Sequence, residues 1–305
     1  MIASAIITIV GLIVLETVQS VDNAIVNAHM LQTMSARARR WFLIWGIFTA
    51  VFVVRGLLPL LIVWIASPGV TLLGAIHATF GGDDTARLAM ESSAYILLMG
   101  GGMFLLLLYF HWLFLEKKDP YFVPERLVKP HHGIWFFAVA ALLLCSVLWF
   151  MRERPLAMIA AAVGNAVFFI LYGFRQQAEQ EEHTIETSKS DLAKLLFLEV
   201  LDLSFSIDGV FGAFAFTTNV LLILIGNGIG AMIVRHLTIH GVDRVGEYRW
   251  LKNGAMTSIG LLGAFMVCSS FGVHLPDWLA TVTTLAVVGI AFFASFLERR
   301  KHAIL

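Results

Sequence analysis

Five carboxylates stand inside long apolar runs of this sequence: Glu16 and Asp22 in one run, and Glu199, Asp202 and Asp208 in another. A charged side chain at the centre of a bilayer costs ~2.5–3.5 kcal/mol or more. Carboxylates gathered there repel one another and take up protons unless a cation compensates them. Their polar neighbours are hydroxyls and amides: Ser20, Asn23 and Asn27 beside the first pair, and Ser206 beside the second set. No thiol is interleaved with them, and His29 falls at the end of its run. Hard oxygen donors suit Mg²⁺, Ca²⁺ or Mn²⁺, whereas imidazole and thiolate would favour zinc or nickel. The candidate ligands are therefore Glu16, Asp22, Asn23, Glu199, Asp202 and Asp208, supported by Ser20, Asn27 and Ser206. The donor set does not choose among the hard ions.

At ~100° per residue, Glu16, Ser20, Asn23 and Asn27 share one helix face, and Glu199, Asp202 and Ser206 share another. Asp22 and Asp208 fall about 120° off those faces. Either each Asp meets a different neighbour, or the helix unwinds around Ser-x-Asp. Gly209 and Gly212 favour a break in the second run; the first run stays undecided. Arg55 and Arg235 are the cations that lie within apolar runs, and Arg55 is the one expected to neutralise an empty site.

The elements that carry these residues follow from composition. The chain has 305 residues, 59% hydrophobic and 14% charged, with 21 basic and 21 acidic side chains. Its mean hydropathy is +0.83. Soluble domains carry about 25% charged residues, so a soluble or disordered chain is excluded. Zero net charge argues against a nucleic-acid partner. Two cysteines in apolar runs make no disulfide framework. The expected fold is an all-α integral membrane protein with the lipid bilayer as its partner.

A spanning helix needs about 20 apolar residues. Nine stretches qualify: Ile2–Leu31, Trp41–Ala66, Ser92–Leu115, Gly133–Met151, Pro155–Phe174, Leu192–Phe216, Asn219–Ile239, Leu251–Phe271 and Trp278–Leu297. Alternate connecting segments hold 16 basic residues against three. By the positive-inside rule this places the N-terminus outside and the C-terminus in the cytoplasm, in a multi-pass bacterial inner (cell) membrane. No basic region precedes the first apolar run, so no cleavable signal is expected. The acidic segment Arg175–Asp191 reads as a solvated linker, with weak metal capture as the alternative. Gly100, Gly101, Gly102, Gly254, Gly260 and Gly263 predict close helix packing, and Glu91 a charge at the outer mouth.

The runs also repeat. LETVQSVD from Leu15 aligns with LDLSFSID from Leu201 at an offset of 186 residues, matching Glu16 to Asp202, Ser20 to Ser206 and Asp22 to Asp208. Gly46 and Arg55 then match Gly226 and Arg235, and Tyr95 and Gly101 match Tyr248 and Gly254. The predicted organisation is one membrane domain, residues 1–305. Repeat one is 1–115, two connecting helices are 133–174, repeat two is 192–271, and a final helix is 278–297. Five stretches separate the starts of the copies, so the three-helix repeats are inverted, a pattern of secondary transporters.

These motifs resemble the TerC family of membrane proteins in the LysE superfamily. The resemblance rests on E-x5-DN at Glu16–Asn23, E-x2-D-x3-S-x-D at Glu199–Asp208, and FTTN at Phe216–Asn219. The nearest likeness is to a branch with S-x-D-G in the second repeat. It implies Mn²⁺ efflux, with Glu16, Asp22, Glu199, Asp202 and Asp208 as ligands. The sequence departs from better-known members in having Gly209, Val210 and Phe211 where they have Ser and Pro, and Asp202 where many have Glu. Tellurite, an oxyanion, does not suit a carboxylate cage. An exporter of amino acids or other small cations is an alternative, as is a non-transport partner of secretion or metalation machinery. An enzyme is not expected, because H-E-x-x-H and G-x-S-x-G are missing. No phosphate-binding loop and no cofactor are expected; homo-oligomerisation is left open.

Overall fold

The computed structural model describes residues 2–46, 48–49, 56–80, 88, 90–128, 133–187, 190–240, 248–276 and 278–302. Arg55 lies outside the described residues, as do the side chains of Asp22 and Arg235. The described chain is built of helices, in order α1 (Ile2–Gln19), α2 (Val21–Gln32), α3 (Ala36–Trp41, followed by a π-turn Phe42–Gly46) and α4 (Leu58–Ala66). Next come α5 (Leu72–Phe80), α6 (Ala94–Leu115), α7 (Val123–Leu127), α8 (Gly133–Phe150) and α9 (Pro155–Thr187). The last four are α10 (Asp191–Phe214), α11 (Val220–His240), α12 (Leu251–Ser270) and α13 (Trp278–His302).

The chain is an all-α integral membrane protein. Among the described residues five helices are long and apolar enough to cross a membrane, and α1 with α2 makes a sixth if that bent pair is one span. The carboxylates keep α10 out of this set, since Glu199, Asp202 and Asp208 fall within 18 residues of one another. The outward faces are apolar: Ile134, Trp135, Leu142, Trp149 and Phe150 of α8 are all exposed. A continuous apolar surface of that size belongs against lipid rather than water.

Glycines let α6 sit at the centre. Gly164 of α9 packs on Gly100, where an added Cβ would lie 2.1 Å from the Gly100 carbonyl oxygen. Gly263 of α12 packs less tightly on Gly102 and Leu105, where its added Cβ would lie 3.1 and 3.0 Å away. Met103, Phe104, Leu105 and Leu107 of α6 are fully buried as a result. The glycine faces predicted for packing do pack.

The contacts also fix direction. Glu16 lies against Gly209, Asn23 bonds Asp202 and Thr33 meets Lys194, so α1 and α2 run antiparallel to α10. Leu12 lies on Gly226 and Glu16 on Gly230, so α1 is parallel to α11. Ser270 bonds the Tyr95 carbonyl and Tyr109 covers Gly260, so α6 and α12 are antiparallel. Phe104 meets Phe168 and His111 meets Tyr172, so α6 is parallel to α9. Gly46 borders Glu199, while Val63 and Ser67 share a cavity with Thr217 and Asn219; the second stretch thus follows α10. Phe136 of α8 meets His111, whereas Val147 packs with Met99, so α8 opposes α6. Ser258 bonds Thr284 and Trp250 bonds Ser295, so α12 and α13 are antiparallel. Gly101 lies on Phe211, and Leu108 and His111 share a cavity with Phe205, so α6 opposes α10, and the described parts of the nine apolar stretches alternate in direction.

Two expectations are corrected, and one left open is decided. The break predicted in the second acidic helix is not there: α10 is continuous from Asp191 to Phe214. Its glycines serve close approach instead, since Cβ atoms at Gly209 and Gly212 would meet Glu16 at 2.6 Å and Leu15 at 3.0 Å. The interruption is in the first stretch, at Ser20 (φ −87°, ψ 4°). There the axes of Ser4–Gln19 and Asn23–Gln32 meet at 51°. Finally, the segment read as a solvated linker is helical over most of its length, because α9 continues to Thr187. Gln, Ala and Glu are strong helix formers, and Gln177 donates to Glu181 one turn on, at 3.1 Å. Of the candidate ligands in that segment, the side chains of Glu179, Glu182, His183 and Glu186 lie outside the described set.

Candidate functional site

The bend at Ser20 turns its hydroxyl back onto the preceding helical turn. Ser20 Oγ donates to Glu16 Oε1 at 3.0 Å, while Ser20 N–H still reaches the Glu16 carbonyl at 3.1 Å. Glu16 is 2% exposed and is held between two glycines, Gly209 of α10 and Gly230 of α11. Asn227 completes this wall, its Nδ2 reaching the Gly209 carbonyl at 3.5 Å.

Asp208 lies next to Gly209 in sequence and is 4% exposed. Among the described residues Arg175 and Glu16 are the charged groups that act on it. Oδ2 accepts from the Arg175 guanidinium at 2.8 Å, and Oδ1 has no hydrogen-bond partner among the described residues. The same guanidinium donates to the Ser204 carbonyl at 2.6 Å and stacks over Phe205 at 4.6 Å. Phe211 meets Phe104 at the middle of α6, whereas Tyr172, three residues before Arg175, packs on His111 near the polar end of α6. Arg175 thus reaches inward, opposite to the snorkelling that takes a cation to the interface.

A second pair lies one to two turns away. Asn23 Nδ2 donates to Asp202 Oδ1, leaving Asn23 Oδ1 without a partner. Asn27 is buried beyond it on α2, and its Oδ1 also has no hydrogen bond. Ser206 donates to the Asp202 carbonyl at 2.8 Å, so its hydroxyl proton is spent on its own helix. Glu199 turns elsewhere. Its carboxylate lies against Gly46, where a Cβ would be 2.6 Å from Oε1.

The predicted residues fall into three places. Glu16 packs on Gly209, the residue after Asp208; Asn23 and Asp202 pair; Glu199 faces the π-turn. Asp208, predicted off the common face, does meet a different neighbour, α9. Among the described residues no three His, Cys, Asp or Glu side chains are grouped so as to hold a metal ion. Sequence reasoning assigned Arg175 to a cytoplasmic loop; the structure puts it on a helix and on the buried carboxylate. Asn227 and Gln19 were also missed, and both amide atoms of Gln19 are buried without hydrogen bonds. Their signal was present, as amides inside apolar runs.

Around these residues other features are structural. His111 packs among Phe136, Phe168 and Tyr172, 3.8 Å from Glu116. Glu125, on the short helix α7, is buried and accepts from Tyr121 N–H, Phe122 N–H and Asn253, tying the α6–α8 connection to α12. Lys194 is buried against the end of α2, donating to the Thr33 carbonyl and hydroxyl at 3.0 Å.

Fold and site together define a polytopic helical membrane protein with a buried polar seam between α1, α2, α10 and α11. The chain belongs to the family described as protein of unknown function (DUF475), whose model matches residues 21–302. It is 26% identical over 113 residues to the uncharacterized membrane protein YceF of Bacillus subtilis (strain 168), across 36% of this chain and 43% of that relative. The chain thus matches less than half of that relative's length. No solved structure matches it.

Proposed function

We propose that this protein is a divalent-cation exporter, with Mn²⁺ as its first substrate, working by alternating access of two inverted repeats. The observation that carries the reading is the burial of Glu16 and Asp208 on antiparallel helices, with Glu16 packed on Gly209, the residue after Asp208. Buried carboxylates are costly and call for a cation. Asp208 Oδ1, Asn23 Oδ1 and Asn27 Oδ1 add hard oxygen atoms that no hydrogen bond among the described residues uses. Loading requires the carboxylate groups to draw together, and the bend at Ser20 is where α1 and α2 can accomplish it.

The alternation of the nine stretches supports nine spans. The opposed directions of α1 and α10, and of α6 and α12, are what inverted repeats demand. The basic connections lie at one end, where Arg249 bridges Asp119 and Glu298 at 2.8 and 3.0 Å; on the positive-inside rule that end is cytoplasmic. The TerC-like acidic motifs favour Mn²⁺ among the hard ions.

Mn²⁺ flux into or out of proteoliposomes, with and without a pH gradient, tests the reading. Glu16→Gln and Asp208→Asn should each lower flux by about 10–100-fold, the usual cost of disturbing a metal's ligands or their supports. Size-exclusion profiles would confirm that the variants fold. Full flux in both folded variants would overturn the proposal.

A further inference from the structure

A cavity of about 490 Å³ opens between α6, α9 and α10, its wall formed by His111, Glu116, Arg175, Gln176, Phe205 and Lys252 among others. It joins the polar end of α6, where Lys252 pairs with Glu116 at 2.9 Å, to the Arg175 guanidinium. Arg175, in the wall of this cavity, binds Asp208, which is not itself part of that wall. The other oxygen of Asp208 is buried with no hydrogen bond among the described residues. A cation that travelled this cavity would meet the arginine first and the carboxylate behind it.

We propose that Arg175 is a tethered substitute for the transported ion, and that the cavity it lines is the ion's route from the basic end. The inference rests on the exporter reading and adds the residue that compensates the carrier while it is empty. A divalent ion competes for Asp208 and releases the guanidinium, which stays in a cavity already lined by a second carboxylate, Glu116. After unloading, Arg175 returns to Asp208, so the empty carrier reorients without a bare charge in the bilayer. Guanidinium is suited to this work: it is always charged, and its planar fork matches a carboxylate. No covalent step is involved.

Two predictions separate this from a structural salt bridge. Arg175→Gln removes the competitor, so Mn²⁺ binding to the purified protein should tighten by about tenfold or more, the scale on which an adjacent arginine holds a carboxylate's charge. The same variant should lose net Mn²⁺ efflux from proteoliposomes, because the empty carrier cannot return, yet keep Mn²⁺/Mn²⁺ exchange, in which it always crosses loaded. Should Arg175→Gln fail to fold, Arg175→Lys retains a cation and should keep exchange and part of the net efflux. Unchanged affinity in Arg175→Gln, equal loss of net efflux and exchange in the folded variant, or exchange without net efflux in Arg175→Lys would overturn the inference. Wild-type protein that neither binds nor moves Mn²⁺ would overturn the exporter reading itself, and is thereby distinguished from failure of the inference alone.

Discussion

Gly209 touches the Glu16 carboxylate because its side chain is a single hydrogen. A methyl group there would stand 2.6 Å from Oε2, but the obstacle is the far end of a flexible chain that can swing aside. Gly209→Ala is thus expected to fold with a modest penalty, about 1–3 kcal/mol as for other overpacked sites, while Mn²⁺ flux falls several-fold more than stability explains. Thermal unfolding and flux on one preparation check the split. The residue also shows what a sequence reveals and hides. Glu16, Ser20, Asn23, Asp202 and Asp208 were legible because polar groups stand out in apolar runs. The role of Gly209 was misread because glycine serves both tight backbone turns and close approach, and only the neighbouring helix decides between them. Arg175 was hidden for a different reason. It follows directly after an apolar run, where a basic residue ordinarily marks an interface, and its inward reach depends on α9 continuing beyond it.

Helix boundaries tell a similar story at the next scale. The apolar stretches predicted the long helices, but hydropathy is blind to the bend at Ser20 and to the helix beyond Phe174, where polar residues with high helix propensity extend α9. Ends are fastened by local chemistry. Ser190 caps α10 by accepting from Ala193 N–H, and Ser35 caps α3 by accepting from Ala38 N–H, each at 3.3 Å. Ser35 hydroxyl and N–H also donate to Asp191 at the start of α10, so the α2–α3 turn is tied to that helix. These bonds hold the Asp191 carboxyl below the usual carboxylate range. Its contribution is therefore fully present above the ordinary Asp value of about 3.9 and disappears as pH falls through the lower folded value. Asp191→Asn should unfold at a slightly lower temperature than wild type at pH 7, with the gap closing in acid. The gap is small because the tie is exposed to solvent. A gap that persists unchanged at low pH would contradict it.

Across the whole molecule, the order of directions was readable from the loops, since basic residues alternate with the stretches they join. What the sequence could not supply was depth, that is, how far a side chain travels from its own backbone. Arg175 starts near the polar end of α6 and ends beside Asp208, about one turn from the Phe211 that meets the middle of α6. This displacement has a consequence for electrical behaviour. A unit charge crossing the full membrane potential exchanges about 2.3 kcal/mol per 100 mV, and a charge crossing part of it exchanges that fraction. An Mn²⁺ ion entering from the cytoplasm works against an interior-negative voltage. An arginine withdrawing the opposite way moves with that voltage and cancels part of the work. Wild-type Mn²⁺ uptake into the site should consequently depend less on a potassium-and-valinomycin voltage than uptake in Arg175→Gln. Equal slopes in the two proteins would mean that the guanidinium stays where it is. A difference approaching a fraction of one elementary charge would make this side chain a built-in damper against the cell's own resting potential.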